Sequence, residues 1–407
     1  MTKLLDLSFI RQQFPPFANP EFKGQAFFEN AGGSFACKQV IDRLCTYYRE
    51  TKVQPYYPYS ASTKAGQAMD ESYESFARYL NVKADEVFFG PSTSQNTYVL
   101  SQAMRGYLKA GDEIIVTNQD HEANSGAWRR LAEFGMVVKE WSVNRETGQL
   151  ETEGLKELLS DKTKLVTFPH CSNIIGQINP VKEWTKLAHE LGATVVADGV
   201  SYAGHGFPDI ADLGVDIYVF SLYKTYGPHQ GAMVVRENIM QNLKNQSHFF
   251  NDKELHKRLI PAGPDHAQVA AAHGVCQYFD AVYEHHFDAD TARGPAVHDL
   301  FRTAEKARLA PLLDYLKDNP KLKVIGSTDS ENRAPTIAIV AKKVSSPELV
   351  KRLVKHGIMS GYGHFYAARL IEAMGIDLEA GVARFSFVHY ISDEDIQQLI
   401  EALEQEL

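Results

Sequence analysis

From residue 86 onward, short runs rich in β-branched and aromatic residues alternate with segments of helical period. EVFFG is followed by NTYVLSQAMRGYL, DEIIVTN by GAWRRLAEFG and KLVTFPH by VKEWTKLAHELG; then come ATVVAD, DIYVFS and GAMVV. Strands separated by helices pair in parallel, so the alternation predicts an α/β domain around a mostly parallel sheet. Right-handed crossovers cover both of its faces. After about residue 285 the texture changes to a helical stretch near TAEKARLAPLLDYLKD, a strand at APTIAIVA, a helix at SPELVKRLVKHG and a closing helix at SDEDIQQLIEALEQEL. The expected division is a large α/β domain over residues 24–284 and a smaller α+β domain over 285–407, joined by residues 1–23. HFDADTARGPAVHD reads either as a loop or as the start of a long helix.

A chain of 407 residues with 44% hydrophobic and 23% charged residues can bury a core of that size. The net charge of -9, without a Lys/Arg block, argues against nucleic acid or an anionic membrane as partner and leaves small molecules. No run approaches a membrane span, and MTKLLDLSFIRQQFPPF has neither the apolar core nor the cleavage site of a signal peptide, so a cytoplasmic protein is expected. Cys37, Cys45, Cys171 and Cys276 are widely spaced without a CxxC pair, as free thiols are. Glu284, His285 and His286 look ligand-like, but adjacent helical residues point apart and no second cluster completes a shell. No metal is expected.

In open sheets of this kind the ligand site lies outside the carboxyl ends of the strands. Gly90 to Ser94 follow the first strand, Asp120 and His121 the second, and His170 and Asn173 the next; Asp198 ends ATVVAD, and Ser221 to Lys224 follow DIYVF. One rim therefore carries hydroxyls, imidazoles, an amide, a carboxylate and a lysine. Lys224, followed by the turn formers Gly227, Pro228 and Gly231, suits an amine held out of bulk water for Schiff-base chemistry. Asp198 suits a carboxylate that keeps a heteroaromatic nitrogen protonated; alone it would read as a helix cap or turn residue. The hydroxyls of GPSTSQN either cap the next helix or, with its free N–H groups, bind a phosphate. Lysine, phosphate cradle and ring-nitrogen carboxylate together specify pyridoxal phosphate.

At these residues the chain resembles the class V aminotransferases of the fold-type-I pyridoxal phosphate superfamily, close to the cysteine desulfurase and isopenicillin epimerase branch. The resemblance runs from AFFENAGG at residue 26 to the last helix, and SLYKTYGPHQG is similar to the desulfurase lysine motif SGHKLYGP. It implies a seven-stranded sheet, pyridoxal 5'-phosphate as cofactor and a homodimer. Lys224 would hold the cofactor as a Schiff base, Asp198 pair with its ring nitrogen, His121 in QDHEAN stack on the ring and Asn173 in SNIIGQINP bond the phenolic oxygen. Thr93, Ser94, Ser221 and Tyr223 would hold the phosphate. Arg384 in GVARFSFVHY matches the arginine that clamps a substrate carboxylate; without the family match it would read as a strand-edge arginine.

The departures bear on the reaction. Where group II desulfurases carry a nucleophilic cysteine in GHHCA, this chain has GHFYA, and the phenol of Tyr366, with a reference pKa of about 10, replaces a thiolate poorly. Ser201 stands where desulfurases often have glutamine. AGPDH departs from the AGTPN pattern that reaches the partner's phosphate, although Gly263 keeps a backbone N–H to offer. QPYYPYSAS replaces a basic segment, so Tyr56, Tyr57 and Tyr59 either line the entrance or pack at a subunit interface. Asn30, Tyr57, His364 and Tyr366 are the further candidates for substrate contact. The expected activity is on an amino acid or related primary amine, through a Schiff base and removal of the Cα proton. Transamination with a keto-acid acceptor comes first; a Cβ–S lyase or epimerase without a protein cysteine, and a non-catalytic cofactor-binding regulator, are the alternatives.

Overall fold

The computed structural model describes residues 3–288 and 291–407. In chain order its strands are β1 (Ala26–Phe27), β2 (Val87–Gly90), β3 (Glu113–Thr117), β4 (Val137–Trp141), β5 (Thr163–Pro169), β6 (Thr194–Asp198), β7 (Ile217–Ser221) and β8 (Gly231–Val235), then β9 (Leu322–Ile325), β10 (Thr336–Ala341), β11 (Ile358–Met359), β12 (Gly361–Gly363) and β13 (Val382–Ser386). The large sheet has seven strands in the order β2-β8-β7-β6-β5-β3-β4. Pairing is parallel from β7 across to β4, and β8 runs antiparallel to both β7 and β2. The reversal has a local cause. Residues 222–230 are too few for a crossover helix, so the chain leaves β7 through a tight turn and must come back beside it.

Successive residues of a strand point to opposite faces, and the buried strands divide their apolar side chains accordingly. Tyr218 and Phe220 of β7 join one core, with Phe76, Phe207 and Phe279. Ile217 and Val219 join the other, with Leu100, Met104 and Trp128. Each fully buried side chain of this size contributes about 1.5–3 kcal/mol. Helices Lys38–Glu50, Ser60–Leu80 and His266–His286 cover the first face, and Thr93–Met104 with Glu122–Arg129 the second.

A four-stranded antiparallel sheet, β12-β13-β10-β9, has its own core with Leu309, Leu313, Leu399 and Leu403 from helices Arg293–Lys317 and Asp393–Glu406. The amino-terminal strand β1 pairs in parallel with β11, and Glu29 bridges to Ser386 at the end of β13. The ambiguous HFDADTARGPAVHD is helical from Arg293 onward; its Ala289 and Asp290 lie outside the described residues. GAWRRLAEFG is α-helical only to Arg129 and tightens into a 3₁₀ turn to Phe134. Among the described residues no helix is long and apolar enough to cross a membrane.

Candidate active site

The loops leaving the carboxyl ends of β2, β3, β5, β6 and β7 meet around a cavity of about 540 Å³. Lys224 ends the turn Leu222–Lys224 directly after β7 and is 7% exposed. The turn is closed by the N–H groups of Thr225 and Gly227, which donate to the carbonyl of Leu222 at 2.7 and 2.9 Å. A β-carbon on Gly204 would lie 2.7 Å from the Lys224 carbonyl, so the backbone beneath the lysine depends on a glycine there. Burial, with the charge of Arg384, lowers the lysine pKa to about 8, against the pull of Asp198 and Glu29. Its neutral form is thus within reach near physiological pH.

Asp198 ends β6 inside the sheet and lines the cavity; its Oδ1 accepts the Val200 N–H at 2.8 Å. Burial raises its pKa to about 6, while that N–H and Lys224 act the other way. The His121 ring reaches the cavity because it caps helix Glu122–Arg129: Nδ1 accepts the Ala123 N–H at 3.0 Å. An accepting Nδ1 places the ring proton on Nε2. Burial, then the charges of Lys224 and Arg384, lowers the His121 pKa to about 3, so the ring is a neutral plane with Tyr366 5.2 Å away, centroid to centroid.

Ser92 caps helix Thr93–Met104, accepting the Gln95 N–H at 3.2 Å, so the capping explanation holds for Ser92. Thr93 and Ser94 stand in the first turn and line the cavity. The Thr93 and Ser221 hydroxyls lie 2.8 Å apart, pairing the helix start with the end of β7. The helix can approach so closely because Gly90 and Gly231 face each other across β2 and β8: a β-carbon on Gly231 would collide with the Ser92–Thr93 peptide, and one on Gly90 with Asn96. Ser201 and Tyr223 complete this lining, with Tyr223 stacked on His229 at 4.8 Å.

Other expected residues are placed differently. Asn173 lines the cavity, but its Nδ2 donates to the Phe365 carbonyl at 3.0 Å, and its Oδ1 is buried without a partner. Arg384 is 1% exposed and does not line the cavity: Nη2 donates to Glu29 at 2.7 Å, Nη1 to the Asn173 carbonyl at 3.1 Å, and the Phe365 ring covers the guanidinium at 3.6 Å. The packing of GHFYA against the site, not the strand edge, accounts for this closure. Asn30 lines a small adjoining cavity with Lys224 and Ser201, its Oδ1 accepting the Tyr390 hydroxyl at 2.7 Å. His364 stays outside the cavity and supports the turn, its Nδ1 accepting the Tyr366 N–H at 3.1 Å. Tyr57 is 56% exposed away from the cavity, and Gly263 lines a separate groove with Pro91 and Gln95. Within one chain these two do not join the site.

Arg130 and His229 line the cavity, and Asp120 is buried behind it, accepting from Thr117 and Asn124 at 3.0 Å each. The sequence places Asp120 on the rim beside His121 and His229 inside SLYKTYGPHQG without giving either a role, and Arg130, in GAWRRLAEFG, carries no mark of its own. Burial and the nearby Asp198 push Asp120 up to about 8. Glu284, His285 and His286 are engaged elsewhere, with Arg293 and Asp6. Among the described residues no group of three or more His, Cys, Asp or Glu is placed to hold a metal.

The residues fit pyridoxal phosphate. A dry amine and a buried carboxylate face one cavity with a neutral imidazole, and the paired hydroxyls at a helix start suit a bound anion. Fold and site together define a fold-type-I pyridoxal phosphate-dependent enzyme. The chain belongs to the aminotransferase class-V family, whose profile matches residues 26–399. It is 35% identical to the aminotransferase-like protein FGM3 of Gibberella zeae, over 98% of each chain. It is 27% identical to a cysteine desulfurase of Serratia proteamaculans, over 97% of each. A cysteine desulfurase of Thermococcus onnurineus has the same fold, with a TM-score of 0.86 at 21% identity over 100% of this chain and 99% of that one.

Proposed function

We propose that the protein is an aminotransferase acting on an amino acid, with a keto acid as acceptor. The observation that carries this reading is the state of the thiols. Among the described residues Cys171 is the one cysteine lining the cavity; the residue is 2% exposed and burial pushes its thiol up to about 12, far from the thiolate that sulfur extraction requires. Tyr366 occupies the turn where desulfurases place their nucleophile.

Bound pyridoxal phosphate supplies an aldehyde for the amine and a ring that accepts electrons. Lys224 would hold that aldehyde and, once released, would carry the proton from the substrate Cα to the carbon that bore the aldehyde, and in the second half-reaction from there to the keto-acid carbon, work suited to an amine whose pKa burial has brought to about 8. Asp198 keeps a proton on the ring nitrogen. His121 offers its neutral face, and Thr93, Ser94 and Ser221 bind the phosphate with the N–H groups of the first helical turn. Arg384 takes the substrate carboxylate once its present partners give way.

Incubation with a panel of amino acids, with and without a keto acid, tests this. Amino-group transfer that depends on the acceptor is expected, and Lys224→Ala abolishes it. Pyruvate and sulfide released from cysteine without acceptor would overturn it in favour of a lyase. We extend the proposal to a cytoplasmic homodimer, in which Gly263 serves the neighbouring site, and to two domains, 24–284 and 285–407 with 1–23. The core that one face of the small sheet builds with the closing helices supports the division, while Ile325, Ala338 and Val382 of that sheet join the core of the large one.

A further inference from the structure

Arg384 is engaged by its own chain, yet incompletely. It meets Glu29 through Nη2 alone, while Arg384 Nε and Glu29 Oε2 are both buried without a hydrogen-bond partner. An arginine facing a carboxylate can make two parallel bonds, so the pair leaves half of its strongest geometry unused. The Glu29 carboxylate rests in a slot opened by two glycines. A β-carbon on Gly361, the register partner of Arg384 across β12 and β13, would lie 2.7 Å from Oε2, and one on Gly32 would collide with Oε1. The two partners also differ in freedom. The Glu29 side chain is 28% exposed and that of Arg384 2%, so the acid has a path to water and the base has none.

We propose that Glu29 is a specificity-determining residue: an internal carboxylate that occupies Arg384 at rest and is exchanged for the carboxylate of the substrate. This rests on the reading above that Arg384 receives that carboxylate. A substrate carboxylate that engages Nε as well as Nη2 makes the bond Glu29 leaves unmade, and Glu29 keeps its charge hydrated on swinging out. Exchange also holds the charge opposite Arg384 constant, so Lys224 and His121, which both feel that guanidinium, keep their protonation when substrate enters. An amine without a carboxylate finds no bare cation. Competition from Glu29 thus sets how far an α-amino acid is preferred over a simple amine, and holds that preference below what an unoccupied Arg384 would give.

The test uses the cofactor-loaded protein and two probes of the same skeleton, L-alanine and ethylamine, each titrated against the visible cofactor band. The readout is the ratio of the two dissociation constants, which cancels any change in Lys224. Glu29→Gln keeps the shape and removes the competing charge, and is expected to raise the preference for alanine by about tenfold, the scale of one charge-assisted hydrogen bond. Gly361→Ala keeps the glutamate but evicts its carboxylate from the slot, and is expected to move the ratio in the same direction. An unchanged or lowered ratio in whichever variant folds overturns the proposal and leaves the enzymatic reading intact. A wild-type band that responds to neither amine overturns both.

Discussion

At the scale of single residues, burial acting on charge governs the site, and it leaves a signature in stability. The Lys224 pKa, about 8 in the folded chain, lies below the ordinary lysine value of about 10.4. Between those limits the unfolded chain holds a proton that the folded chain has released, so stability rises with pH across that window. Below about pH 8 the folded state carries the cost of a dry ammonium. The apoprotein is therefore expected to gain on the order of 2 kcal/mol between pH 8 and 10 relative to Lys224→Met, read from urea midpoints. Asp120 has the opposite sign. Its carboxyl is held up to about 8 by burial and by Asp198, so between about pH 4 and 8 the folded chain keeps a proton the unfolded chain loses, and stability falls as pH rises. Asp120→Asn is expected to flatten that decline; parallel slopes for variant and wild type would show that Asp120 does not retain its proton.

At the scale of elements, the proposed anion site is a matter of how closely a helix can meet a sheet. Gly231→Ala would drive a β-carbon into the Ser92–Thr93 peptide and push the start of helix Thr93–Met104 off β8. The expected result is a loss of about 1–3 kcal/mol of stability from overpacking, together with a larger fractional loss of pyridoxal phosphate affinity than of stability. Equal affinity in a folded variant would mean that the first helical turn does not hold the phosphate. The strands that set this geometry are legible in the sequence because those buried on both faces read as continuous apolar runs, as IYVFS and TVVAD do. Strand β4 leaves no such mark: in VVKEW only Trp141 is buried. The rim residues Lys224, Asp198 and His121 are legible because each directly follows or ends a readable strand. The pairing of Glu29 with Arg384 is not, since it joins residues 355 apart and depends on two glycines making room. Likewise, nothing local in GHFYA tells that Phe365 will cover Arg384 and receive the Asn173 amide.

At the scale of the whole molecule, the unsatisfied surface lies beside the site. Phe249 is 88% and Phe250 69% exposed, and Tyr56 is 60% exposed. The groove that Phe250 and Tyr56 line shares Ala262, Gly263 and Pro264 with a second groove, which in turn shares Tyr98 and His229 with the cavity of Lys224. Aromatic side chains left in water along a continuous path to a site are the composition of an interface core. The second copy proposed above, seated there, would cover the exposed rings and bring its own 262–264 loop toward the neighbouring cavity, and would so account for Gly263 standing apart from the site of its own chain. Replacing Phe249 and Phe250 together by Asp introduces two charges that dimer formation would have to desolvate, several kcal/mol against association. Sedimentation at micromolar concentration should then show a dimer for the wild type and a monomer for the double variant. On the proposed dimer the monomer should bind pyridoxal phosphate more weakly, because the 262–264 loop of the other subunit would complete the phosphate site. A wild type that sediments as a monomer yet binds the cofactor tightly would instead mean that one chain holds the phosphate alone, through helix Thr93–Met104 and Ser221.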